Sequence, residues 1–82
     1  MSINTVWNNI CKHEGETFFT ISDKKPYTYT IKDDHIILSD RRGKISRSRL
    51  ENAIQITDPT PKKVGGWAPS YICGIITDSR II

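Results

Sequence analysis

The chain has 82 residues, of which 37% are hydrophobic and 26% charged, with 12 Lys+Arg against 9 Asp+Glu and a formal net charge of +3. That length fits one small domain, residues 1–82, with a thin core carried largely by aromatic rings, and leaves no room for a second domain. Two cysteines are too few for a disulfide framework, no basic n-region and apolar core marks a secretion signal, and no apolar run approaches the roughly 20 residues of a membrane-spanning helix. The expectation is a cytoplasmic protein with no membrane span. A sequence pI of about 9.0 permits binding to nucleic acid or another polyanion without requiring it.

Ser2 is a helix N-cap candidate, and Ile3, Val6, Trp7 and Ile10 follow at the spacing that lines one face of an α-helix, with Gly15 as its stop. From Thr17 the composition turns to β. Thr17–Ile21 and Tyr27–Lys32 read as a hairpin around Ser22–Pro26, and Tyr27, Tyr29 and Ile31 share one face of the second strand. Asp33-Asp34 supplies a turn into a third strand, His35–Ser39, which makes a three-stranded antiparallel meander.

Asp40–Gly43 forms the next turn and leads into a second helix. Ser48 with Glu51 fits a capping box, whereas Ser46 as cap places Ile45 and Leu50 at the hydrophobic-staple positions; the staple favours Ser46. Asp58–Gly66, with two prolines and a glycine pair, reads as a connector. The apolar run Ser70–Thr77 fits a buried helix capped by Ser70 or a buried strand, and the helix is preferred. The expected fold is α+β: an N-terminal helix, a three-stranded antiparallel β-meander, a second helix and a short C-terminal helix.

Arg41, Arg42, Lys44, Arg47 and Arg49 place five cations within ten residues, with no carboxylate among them. Without them the acids would outnumber the bases, so the positive charge is local. Arg47 and Arg49 in the first turn of a helix oppose the helix dipole, an arrangement relieved by an arriving anion. A phosphate there would meet free backbone N–H groups, the Ser46 and Ser48 hydroxyls and bidentate guanidinium groups. The bland reading is a solvated turn balanced by Asp33, Asp34 and Asp40. Lys62 and Lys63 add a second basic point, and Trp67 and Tyr71 offer stacking surfaces if they are not core residues. Tyr27 and Tyr29 pose the same choice.

Cys11, His13, His35 and Cys73 lack the spacings of a zinc site, so no metal or cofactor is expected. Asp33-Asp34-His35 is the one cluster that suggests metal-assisted phosphodiester chemistry, yet no phosphate loop, nucleophile elbow or nuclease motif accompanies it. An enzyme is not expected. Trp7, Gly15-Glu16-Thr17-Phe18, Tyr27-Thr28-Tyr29, Ile45-Ser46 and Ser70-Tyr71-Ile72 through Asp78-Ser79-Arg80-Ile81 resemble small bacterial proteins of uncharacterised function with a G-x-S-Y…D-x-R-I C-terminal pattern. Here Gly66-Trp67-Ala68-Pro69-Ser70-Tyr71 carries extra residues after the glycine. The resemblance implies a helix at 70–77 and a bacterial or mobile-element origin, and assigns no site.

The functional expectation is non-catalytic binding to nucleic acid, DNA in preference to RNA, through phosphate contacts at Arg41, Arg42, Lys44, Ser46, Arg47, Ser48 and Arg49, assisted by Lys62 and Lys63. The alternative is a protein-interaction module, such as a small mobile-element inhibitor or accessory factor, docking on an acidic protein surface.

Overall fold

In the computed structural model, which describes residues 2–40 and 42–82, the chain folds as α+β with four helices and two antiparallel sheets. Helix α1 (Ile3–Lys12) starts where Ser2 accepts a hydrogen bond from the Asn4 N–H, and it buries Val6, Trp7 and Ile10. Three of the four expected stripe residues are buried, and Ile3 is partly buried against the same core. No helix among the described residues is long and apolar enough to cross a membrane.

The expected meander is replaced by two sheets. Strand β1 (Phe18–Phe19) pairs with β2 (Pro26–Tyr27), with Phe18 opposite Tyr27, while β3 (Tyr29–Lys32), β4 (His35–Leu38) and β5 (Lys44–Ser46) form a separate three-stranded sheet. The ladder breaks at Thr28, whose N–H donates to the Ser39 hydroxyl and whose carbonyl accepts from the Ser39 N–H. Pro26, lacking an N–H, cannot extend the first ladder. The third strand of the larger sheet is β5, a segment that reads as helix lead-in by sequence. The outer edge of β3 is covered, because Gly15 N–H donates to the Tyr29 carbonyl and the Ile31 N–H donates to Glu14 Oε2. Those two backbone groups of the β3 edge are therefore engaged within the chain.

Helix α2 (Arg47–Ala53) begins at Ser46, whose hydroxyl accepts from the Arg49 N–H, so the staple assignment holds, with Ile45 and Leu50 both buried. The connector contains one helical turn, α3 (Pro61–Val64), capped by Thr60 with Pro61 at its first position, where a missing N–H costs nothing. Helix α4 (Pro69–Ile76) is the expected C-terminal helix. Its cap position is Ala68 in a left-handed conformation, with no side-chain cap. Ser70, the expected cap, instead accepts from the Ser22 N–H and tethers the β1–β2 loop.

One apolar cluster joins these elements: Val6, Trp7 and Ile10 of α1, the inward residues of both sheets, Leu50 of α2, and Tyr71, Ile72, Ile75 and Ile76 of α4. Tyr27, Tyr29 and Tyr71 belong to it, and their rings link to Phe18 in a chain of tilted contacts. Burial raises the hydroxyl pKa of Tyr27 and Tyr29 well above the ordinary value, and both hydroxyls instead donate, to the Tyr71 and Ile10 carbonyls. They are core residues, not stacking platforms.

Candidate functional site

The run 41–49 does not form one corner, because β5 lies in its middle. Register pairs Ile37 with Lys44 and His35 with Ser46, so Arg42 lies toward one end of the sheet and Arg47 toward the other. Arg41 lies outside the described residues.

At the Arg47 end, the helix start is already satisfied. The Arg47 N–H donates to the Asp34 carbonyl at 3.1 Å, and the Arg49 N–H to Ser46 Oγ at 3.2 Å. Ser46 also lies 3.3 Å from the Ser48 hydroxyl. The Arg47 guanidinium donates to Asn4 Oδ1 and sits 5.7 Å from the centre of the Trp7 ring, tying α2 to α1. The Asp33-Asp34 turn, with both residues at positive φ as a two-residue hairpin turn requires, lies at this same end. The dipole cost expected for Arg47 and Arg49 is therefore offset inside the molecule, without an external anion.

Arg49 serves as a clasp. Its Nη1 donates to the Trp67 carbonyl and its Nη2 to the Gly65 carbonyl at 2.6 Å. Gly66, at φ +69°, passes so close that a Cβ there would lie 2.7 Å from Nη2. Lys63 is similarly spent, donating from Nζ to the Thr57 and Asp58 carbonyls at 3.1 and 3.2 Å. Arg47, Arg49 and Lys63 thus have internal duties that the spacing of charges could not reveal.

The other end of the sheet differs. The side chains of Arg42 and Lys44 there, and that of Lys62 in α3, make no hydrogen bond or ion pair within the described residues and are exposed. Alternation places Lys44 opposite in sense to buried Ile45, on the face of the sheet that also carries Thr30, Lys32, His35 and Ile37. Lys32 lies on this face at its opposite end, paired with His35 and adjoining the Asp33-Asp34 turn; its side chain is exposed, has no partner among the described residues, and was not singled out by the sequence. Its signal was available: in Tyr29-Thr30-Ile31-Lys32 it falls on the face away from the core. The three strands hold no carboxylate at all.

Nor do the nearby acids neutralise this end. Asp40 pairs with Lys25 at 3.1 Å and accepts from the Tyr71 hydroxyl at 2.8 Å. Partial burial pulls its pKa upward, but those two hydrogen bonds outweigh it and hold the carboxyl below its ordinary value. Asp33 and Asp34 sit at the far end of β4, a strand of four residues, hence on the order of 13 Å from the β4–β5 turn, although they directly follow Lys32 in the chain. Screening reduces interactions beyond about 8 Å at physiological ionic strength.

Against the β4–β5 turn rests Trp67, whose residue surface is 38% exposed. A Cβ at Gly43 would lie 2.9 Å from its Cζ2, so the turn and the indole are in direct contact. A polar cleft of about 290 Å³ lies nearby, lined by Thr20, Ser22, Lys25, Ser70 and Tyr71 among others. Among the described residues no group of three or more His, Cys, Asp or Glu could hold a metal ion. No protein-family model matches the chain, and comparison with curated proteins and with solved structures also found no match.

Proposed function

We propose that this chain binds nucleic acid without catalysis, with DNA the preferred partner, through phosphate contacts from Lys32, Arg42 and Lys44 on the open sheet face and its adjoining turn, assisted by Lys62. The observation that carries this reading is a carboxylate-free sheet face bearing cations with no internal partner. A lysine or arginine left in water gains little for folding, whereas each one placed on a phosphate releases condensed counterions. The basic helix start is not part of the interface, since its donors and its arginines are engaged within the fold.

Binding of a labelled DNA oligonucleotide at about 50 mM and about 200 mM salt tests the proposal, because phosphate contacts weaken steeply over that range. Affinity should fall by at least ten-fold between the two. No binding at low salt, or binding indifferent to salt, would refute it.

A further inference from the structure

We propose that the free edge of β5 takes up an extended acidic peptide segment of another protein as a fourth strand of the larger sheet. This site goes beyond the nucleic-acid reading and does not rest on it, since its principal contacts are main-chain hydrogen bonds.

Residues facing each other across an antiparallel ladder alternate between pairs that exchange hydrogen bonds and pairs whose main-chain groups turn outward. The Arg47 N–H donates to the Asp34 carbonyl, which makes that pair a bonded one, so Ile36 and Ile45 are the next bonded pair along the register. The main-chain groups of Lys44 and Ser46 therefore point away from β4. By the same alternation His35 and Ile37 bond toward β3, which turns Tyr29 and Ile31 outward on the opposite edge, and there Gly15 and Glu14 meet them. On β5 nothing corresponds. No strand lies beyond it, and the Lys44 N–H, the Lys44 carbonyl and the Ser46 N–H have no partner among the described residues. The Ser46 carbonyl differs, because a cap residue's carbonyl accepts the first hydrogen bond of its helix. A donor and an acceptor at Lys44 with a donor at Ser46 are the set that one added strand satisfies.

Charge selects the occupant. Lys44 turns its side chain to the open face of the sheet, Arg42 lies two residues before it, both are exposed, and the three strands hold no carboxylate. An aspartate or glutamate opposite Lys44 would form a cross-strand ion pair and so favour one register. The same residues disfavour a second copy: β5 laid antiparallel on β5 would bring two Lys44 and two Arg42 side chains to one seam. Edge lysines protect sheets from pairing with themselves in this way. An acidic strand meets attraction where a second copy meets repulsion.

The test titrates the isotope-labelled chain, followed by NMR, with a capped peptide of alternating glutamate and valine. Two controls accompany it, the lysine–valine counterpart and the glutamate–valine peptide N-methylated at every residue. With the parent peptide at about ten times its Kd, the Lys44 and Ser46 amides should shift and exchange with solvent roughly ten-fold more slowly, because only the free fraction exchanges. The Ile45 amide, already bonded to β4, should keep its rate. Neither control should bind, and Lys44→Glu should weaken the parent peptide by about five-fold or more. No change at Lys44 and Ser46, or equal binding of the N-methylated peptide, would overturn the inference. So would protection that appears without peptide and grows with protein concentration, which would give the edge to a second copy. The same protection brought by an oligo-dT strand would give it to nucleic acid and overturn the inference as well. The salt dependence of DNA binding is a separate reading, so the two proposals fail independently.

Discussion

Arg80 shows how a single side chain can organise its surroundings, and why a cation count misleads about function. Its guanidinium lies 3.8 Å from the centre of the Phe18 ring, donates to both carboxylate oxygens of Asp78 at 2.9 Å, and reaches Glu16 at 3.1 Å and the Thr17 carbonyl at 3.0 Å. The hydrogen bonds from Arg80 lower the Asp78 pKa against the opposing effect of burial, and the His13 hydrogen bond, with Arg80 adding to it, lowers that of Glu16. Folded pKa values below the unfolded ones mean that this stability is present above the ordinary carboxylate range of about 4 and is lost as pH falls through the folded values. Arg80→Met should therefore unfold at a lower temperature at pH 7, and its melting temperature should depend less on pH between about 5 and 3 than that of the intact chain. Parallel pH profiles for the two proteins would show that the network adds no linked stability.

At the scale of elements, α4 and the strand it covers illustrate both what the amino-acid order reveals and what it hides. Helix α1 was legible because four apolar residues repeat at helical spacing after a serine cap, and α2 because a staple pair brackets Ser46. Strand β5 was not legible, since three residues expose only one buried position, Ile45, and its pairing depends on β4 arriving alongside. The turn α3 had its signal in Thr60-Pro61, a cap followed by proline at the first helical position, which was outweighed by the breaker composition around it. Gly74 lies within α4 and carries a constraint invisible in sequence: a Cβ there would sit 2.3 Å from the Phe19 carbonyl oxygen of β1. Helix and strand touch through that missing side chain. Gly74→Ala should cost on the order of 3 kcal/mol, toward the upper part of the overpacking range, despite alanine's better helix propensity. Urea denaturation would measure it, and an unchanged or raised midpoint would contradict such close packing.

Across the whole molecule, the candidate site was half legible. The basic run was visible, but its division was not, because assigning Arg47 to Asn4 and Trp7, or Arg49 to the 65–67 backbone, requires contacts far apart in the chain. Folding sorts the cations into those that hold elements together and those left facing solvent. Lys32, Arg42 and Lys44 fall in the second group, Arg47 and Arg49 in the first. Under the proposed function only the second group meets phosphates. The slope of log affinity against log salt for a DNA single strand tests it most directly, measured for the intact chain, for Lys32→Gln/Arg42→Gln/Lys44→Gln together, and for Arg47→Gln alone. Loss of three phosphate contacts should reduce the steepness of the slope by about 2, at roughly 0.7 per contact on single strands, while Arg47→Gln should leave it unchanged. A triple variant with the slope of the intact chain, or an Arg47 variant that loses steepness, would refute phosphate binding by this division of the cations.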